Sequence, residues 1–298
     1  MSKASIILHA FPDEARPARA LASALGVECR FVDVHTFPDG EILPTVPETA
    51  PTTIVYRSLA QPNDKLMALF LACDAWRRAG AQRLVLVAPY LCYLRQDIAF
   101  APGQPISQKV IGQLLGDRFD RILTVDAHLH RTPTLSAVFP QTSSTALSAA
   151  PVIAAWLRQA PQLDFVVGPD VESASWVGQV ADALGLPYRL FSKTRLGDNE
   201  VRLALDNPAE IAGRSVALVD DICSSGGTLI EAARMLKAFG ARDVAACVTH
   251  ALFDPSVDTK LRGVGARGIV STDSVIHPSN AISLTPVLAD ALRGEVRD

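Results

Sequence analysis

The sequence has little of what would mark an extracellular, membrane or nucleic-acid-binding protein. Its five cysteines stand at 29, 73, 92, 223 and 247, an odd number with no C-x-x-C pair and no metal-ligand spacing. That argues against a disulfide framework and for buried, reduced thiols. Aromatic residues are only 6% of the 298 and do not interleave with basic ones, so a nucleic-acid face is not expected. Long apolar runs are absent too. The longest, from Leu84 to Leu94, contains Pro89 and falls short of the roughly 20 residues that cross a bilayer. The opening stretch MSKASIILHAFPDEARP reaches Asp13 and Glu14 too soon for a secretory signal. Neither sign of charge dominates, with 28 Lys and Arg against 31 Asp and Glu, so no global field draws the chain to nucleic acid or anionic lipid. These absences lead us to expect a cytoplasmic protein with no nucleic-acid and no membrane partner. Small anionic ligands stay allowed.

What is present is an apolar content of 49%, enough to bury a substantial core in two domains or one large one. Short β-branched runs alternate with longer helical patterns, which predicts parallel sheets flanked by helices. The expected strands are Ser5–Leu8, Thr53–Tyr56, Leu84–Ala88, Arg121–Val125, Phe165–Gly168, Val216–Val219 and Asp243–Val248. Helices are expected at Ala15–Leu25, Asn63–Ala79, Ser107–Leu115, Ser173–Leu184 and Gly227–Phe239. In the last of these, Leu229, Ala233, Leu236 and Phe239 recur at helical spacing and Gly240 can close the helix in the left-handed conformation. A Pro-, Ser- and Thr-rich stretch from Thr132 to about Pro151 is the best boundary, and the patterns on its two sides are alike. We therefore expect two similar α/β domains, residues 1–145 and 146–298.

The stretch Val216-Ala-Leu-Val-Asp-Asp-Ile-Cys-Ser-Ser-Gly-Gly-Thr228 ends an apolar run in two carboxylates and then loses its side chains. Ligands of open α/β sheets bind beyond the carboxyl ends of strands, where Asp220 and Asp221 are expected. A loop of Ser224, Ser225, Gly226 and Gly227 lets backbone amides approach a phosphate, and Thr228 opens a helix whose N-terminus adds positive charge. The acids would repel phosphate, so they suit sugar hydroxyls or a metal ion. The plainer alternative is a capping turn at a helix start. The ordered succession of strand, acid pair, small loop and helix resembles the phosphoribosyl-diphosphate motif of type I phosphoribosyltransferases. That resemblance implies that the loop holds a ribose 5-phosphate and that the acids contact the ribose hydroxyls.

Further motifs are spread along the chain: Phe37-Pro-Asp-Gly-Glu41, Tyr90-Leu-Cys-Tyr-Leu-Arg-Gln-Asp97, Pro105-Ile-Ser-Gln-Lys109, Val125-Asp-Ala-His128 and Gly168-Pro-Asp170. Phe37 offers a face for a purine, and Asp39 and Glu41 can accept hydrogen bonds from its amine or the nucleotide ribose, although Pro-Asp-Gly is also a common surface turn. Arg95 suits bidentate phosphate contact, with Gln96 and Asp97 beside it, unless it is a solvated loop charge. Lys193-Thr-Arg195 opens a polar segment reaching Asn199, read as a mobile lid with two cations or as a solvated basic turn. In this order the motifs resemble ribose-phosphate diphosphokinases, over about residues 4–292.

That resemblance implies two phosphoribosyltransferase-like domains, the first supplying ATP-binding motifs and the second the ribose 5-phosphate loop and lid. It implies ATP and ribose 5-phosphate as substrates, Mg2+ as cofactor and a homo-oligomeric enzyme. By the same resemblance Arg95 and Gln96 touch the nucleotide, His128 stands near the polyphosphate or the metal, Asp170 is the better ligand to metal-bound water, and Lys193 and Arg195 close over the reacting phosphates. His130 has no match. Two departures stand out: the loop has serines where the family commonly has Asp and Thr, and Glu172 and Trp176 follow Asp170 where Gly and a basic residue are usual. The rival readings are a phosphoribosyltransferase that consumes phosphoribosyl diphosphate, which would not need the nucleotide motifs, and a non-catalytic paralogue, against which Lys193 and Arg195 speak.

Overall fold

The structure is a computed structural model and describes residues 5–159, 162–195 and 201–296. In chain order its elements are β1 (Ile6–Ala10), α1 (Ala15–Leu25), β2 (Glu28–Phe31), β3 (Asp33–Thr36), β4 (Ile42–Thr45), β5 (Thr52–Tyr56), α2 (Pro62–Arg78), β6 (Arg83–Val87), α3 (Ser107–Gly116), β7 (Arg121–Val125), α4 (Leu135–Val138) and β8 (Ser143–Leu147). There follow α5 (Ala150–Leu157), β9 (Phe165–Gly168), α6 (Ala174–Leu184), β10 (Tyr188–Arg195), β11 (Val201–Leu205), β12 (Ser215–Cys223), α7 (Gly227–Ala238), β13 (Asp243–Ala251), α8 (Ser256–Gly263), β14 (Ile269–Thr272), β15 (Asn280–Ile282) and α9 (Thr285–Val296).

The chain divides into two compact units, one running to Leu147 and including α9, the other Ser148–Leu284. The helix α9 joins the first unit because Glu295, nearly buried, accepts from Arg83 at 2.7 and 2.8 Å and from Arg121 at 2.9 Å. Nothing in the sequence near residue 285 announces that long-range pairing.

In the first unit six strands run in the order β2-β1-β5-β6-β7-β8, every pair parallel. Strands β3 and β4 form a separate antiparallel hairpin. The central strands are apolar and buried on both faces, which a parallel sheet covered by helices requires. Trp76 of α2 is fully buried in this core and donates from its indole to Nδ1 of His9 on β1 at 2.7 Å.

In the second unit the order is β11-β10-β9-β12-β13-β14-β15, parallel except for the β10–β11 hairpin. Leu229, Ala233 and Leu236 of α7 pack into its core, and Gly240 with φ of 85° ends that helix as expected. Strand β12 is longer than the predicted Val216–Val219. It keeps pairing with β13 to Cys223, so Asp220 and Asp221 belong to the strand itself.

Candidate active site

Each sheet changes winding direction at one place, β1 against β5 in the first unit and β9 against β12 in the second, and the carboxyl ends of such strands form a crevice. In the second unit this place gathers three acids. Asp170 follows β9 in extended backbone, with φ of -162°, and its carbonyl accepts from the Ser173 hydroxyl at 2.6 Å. Asp220 and Asp221 come from β12. Asp221 is buried and Asp220 partly exposed. The Asp221 amide donates to Asp220 Oδ1 at 3.0 Å, and the Ile222 amide to Asp221 Oδ1 at 2.7 Å. Loss of hydration first, then the like charges of Asp221 and Asp170, push the Asp220 carboxyl well above the usual carboxylate range. Three crowded carboxyl groups make an oxygen-rich edge that favours a hydroxyl donor or a hard divalent cation.

The small-residue loop turns directly from this edge into α7. Ser224 and Ser225 are exposed, Gly226 is buried with φ of 76°, Gly227 starts the helix, and Thr228 lies half-buried in its first turn. The Gly226 carbonyl accepts the first helical bond, from Ile230 at 2.9 Å. A Cβ at Gly226 would come within 2.5 Å of Val257 Cγ1, so the position demands glycine for space as well as for φ. The result is an anion-accepting helix N-terminus beside acids suited to a sugar, on neighbouring residues of one strand–loop–helix unit.

Lys193 and Arg195 fall in β10, where their backbones pair with Leu203 and Val201 of β11. What the sequence reads as the start of a lid is thus the outgoing arm of a hairpin, because the polar run Ser192-Lys-Thr-Arg195 carries no apolar period to announce a strand. Residues 196–200, the rest of that expected lid, lie outside the described residues.

The first unit holds the other candidates. Phe37, Asp39 and Glu41 form the tip of the β3–β4 hairpin: the Phe37 and Glu41 backbones bond at 2.8 Å, and the Glu41 amide donates to Asp39 Oδ1 at 3.1 Å. Phe37 is 40% exposed, and its ring meets that of His35 edge to face with centroids 4.6 Å apart, an arrangement compatible with stacking on its open side. Arg95 and Gln96 are exposed on the loop after β6. Their neighbour Asp97 is buried and already engaged, accepting from the Arg131 amide at 3.0 Å and its guanidinium at 2.9 Å. Burial would raise the Asp97 carboxyl, but the Arg131 bonds outweigh it and hold it below its usual range. Asp97 also lines a cavity of about 720 Å3 with Gln108, Lys109, Arg131 and Thr132. Gln108, within the Pro105–Lys109 motif, bonds Leu94 and Thr132, whereas sequence reading missed Arg131, which acts through Asp97, a partner distant in sequence.

His128 follows β7 in the loop that begins at Asp126, a residue with φ of 38°, and lies against His130. It belongs to the first unit and Asp170 to the second.

Residues 7–117 match the family described as the N-terminal domain of ribose phosphate pyrophosphokinase, and residues 145–264 match the phosphoribosyl transferase domain. A ribose-phosphate pyrophosphokinase of Methanopyrus kandleri is 34% identical over 293 residues, covering 96% of this chain and 98% of that protein. That of Maricaulis maris is 32% identical, covering 94% of each. The crystal structure of phosphoribosylpyrophosphate synthetase from Mycobacterium smegmatis superposes with a TM-score of 0.82 at 26% identity, covering 98% of this chain and 99% of that one. Both units thus have the phosphoribosyltransferase-like fold expected from the motifs. On these grounds the chain belongs to the ribose-phosphate pyrophosphokinase family.

Proposed function

We propose that the chain moves the β,γ-diphosphate of ATP to the C1 hydroxyl of ribose 5-phosphate. The hydroxyl oxygen attacks the β-phosphorus, the bond from that phosphorus to the α,β-bridging oxygen breaks, AMP leaves with the bridging oxygen, and the hydroxyl proton passes to solvent. The observation that carries the reading is the acid edge of β12 running straight into the Ser224–Thr228 loop and the N-terminus of α7. Amides of Ser224, Ser225, Gly226, Gly227 and Thr228 take the 5-phosphate, and the carboxyl groups of Asp220 and Asp221 accept from ribose hydroxyls.

On the nucleotide side, Phe37 stacks the adenine, Asp39 and Glu41 accept its polar hydrogens, and Arg95 and Gln96 donate to the phosphates, with His128 near the polyphosphate. Asp97 serves the same side by fixing Arg131. Charge builds on the transferred group and the leaving oxygen, so fixed cations supply most of the stabilisation, and Lys193 and Arg195 are the pair assigned to it. The oxygen-rich edge fits Mg2+, which prefers oxygen ligands and keeps waters, with Asp170 the residue to hold a metal-bound water. When bound, Mg2+ neutralises phosphate charge and orients the transferred group. The reading also takes the enzyme to be cytoplasmic and homo-oligomeric; among the described residues no helix is long and apolar enough to cross a membrane.

Incubation with Mg2+, ATP and ribose 5-phosphate yields AMP and phosphoribosyl diphosphate in equal amounts. Equal AMP formation without the sugar would contradict the transfer. Within it, Lys193→Ala lowers kcat far more than it raises KM, by about 100-fold or more, as expected for a group acting chiefly in the transition state. Unchanged turnover would remove Lys193 from the mechanism.

A further inference from the structure

The crevice of the first unit, at the ends of β1 and β5, takes no part in the proposed diphosphate transfer, yet its side chains are those of an anion site. A 3-10 turn, Pro12–Glu14, follows β1 and carries Asp13 and Glu14 toward the residues after β5. Glu14 is 2% exposed. Its Oε1 accepts from the Ser58 amide at 2.9 Å and from Lys65 Nζ at 3.3 Å, and its Oε2 from Arg57 Nη1 at 3.3 Å. Lys65 is anchored in turn by the Ser58 carbonyl at 2.8 Å, and the buried Arg57 lies over the Phe11 ring. A backbone amide and two fixed cations thus converge on one buried point, which is how proteins hold oxyanions, and none of the three requires that the anion belong to the chain.

The carboxylate fits this cradle loosely. Charge-assisted N–H···O bonds are usually about 2.7–2.9 Å long, and Arg57 comes within 2.6 Å of Asp13, whereas both cations stand 3.3 Å from Glu14. Arg57 also has a donor in reserve, since among the described residues its buried Nε meets no acceptor. A tetrahedral oxyanion is bulkier than a carboxylate, carries more charge and offers more oxygens. The charges agree as well: Arg57 and Lys65 are balanced by Asp13 and Glu14, so loss of Glu14 leaves a buried positive excess. We infer that the first unit carries an oxyanion site of its own, for inorganic phosphate or an ion like it, which the Glu14 carboxylate keeps closed in the folded chain. The inference stands apart from the diphosphate-transfer reading, because it concerns anion binding by the first unit alone.

The test vacates the site in one variant and leaves it filled in another. Full-length wild type, Glu14→Ala and Glu14→Gln are melted in rising inorganic phosphate and, separately, in sodium chloride of matched ionic strength. Alanine opens a gap before Ser58, Arg57 and Lys65, whereas glutamine removes the same charge but keeps the space occupied. Phosphate is expected to raise the melting temperature of Glu14→Ala at least about 3 °C more than that of wild type or of Glu14→Gln, since only the vacated site gains a ligand. The wild-type shift accounts for phosphate held elsewhere and for its general exclusion from protein surfaces. Should Glu14→Ala be unfolded in chloride, phosphate is expected to restore it. Equal shifts in all three proteins would overturn the site, as would a Glu14→Ala protein that stays unfolded in phosphate. So would an equal response of the two variants, or a chloride shift as large as that of phosphate, because either would mean screening of stranded cations and no bound ion. If wild type makes no AMP but the extra shift is confined to Glu14→Ala, the oxyanion site stands and the proposed reaction falls.

Discussion

The two units place the same crevice at the winding change of a parallel sheet and fill it in opposite ways. At the ends of β1 and β5 the buried Glu14 accepts from the Ser58 amide at 2.9 Å and meets both Arg57 and Lys65 at 3.3 Å, while Asp13 takes Arg57 at 2.6 Å. Arg57 also covers the Phe11 ring at 4.1 Å. Acids and cations come from the chain itself, and a phosphate or sugar arriving there would have to break a buried network. At the ends of β9 and β12 the charges of Asp221 and Asp170 add to burial in pushing the Asp220 carboxyl up, and the neighbouring loop presents small residues and a helix N-terminus. One fold thus gives a crevice sealed by its own charges and a crevice whose charges suit a ligand, so function follows the residues at the strand ends and not the architecture.

If that contrast is right, damage to the sealed crevice appears as lost stability and damage to the other as lost turnover. The largest effect is expected for Glu14→Gln, which leaves Arg57 and Lys65 beside a neutral group and removes about 3–5 kcal/mol of stability. Below its melting transition the variant keeps wild-type turnover; a stable but inactive protein would break the contrast. Next is Asp220→Ala, expected to lower kcat/KM for ribose 5-phosphate by about 10²–10³, with KM for ATP nearly unchanged. Normal sugar kinetics would remove Asp220 from the site. Smaller still is Gly226→Ala, where the positive φ and the approach of Val257 together cost up to about 3 kcal/mol. It should raise KM for the sugar phosphate more than KM for ATP.

How much of this was legible in the sequence depended on where each segment packs. Strands β7 and β9 and helix α1 occupy the predicted residues, because their apolar pattern is set by burial. The edge strands β2 and β8 were missed: they are largely half-buried or exposed and carry Glu28, Arg30, Ser143 and Ser144, so neither period shows. Strand β10 was missed for a related reason, since its outer half pairs only within a hairpin. The acid pair and its loop could be read because chemistry and chain order coincide within a few residues. The engagement of Asp97 by Arg131 and the docking of α9 through Glu295 could not, since each depends on a partner more than 30 residues away.

The smallest effect tests whether the sealed unit is sealed against protons as well as ligands. His9 lies on β1, fully buried, and its Nδ1 accepts from Trp76, an arrangement that suits the neutral ring. Burial, above all, lowers it from 6.5 to about 4. Above pH 6.5 the ring is neutral in both the folded and the unfolded chain, and its contribution to stability is fully present. As the pH falls below that point the unfolded chain takes up a proton that the folded one refuses, so stability drops by about 1.4 kcal/mol per pH unit until the folded ring titrates too. By pH 5 the loss is about 2 kcal/mol. Denaturant unfolding at pH 7.5, 6 and 5 measures it against His9→Gln, whose amide oxygen can still accept from Trp76 but does not titrate. Parallel curves for the two proteins would show that the first unit admits the proton, and the contrast between a closed and a receptive crevice would then rest on Glu14 alone.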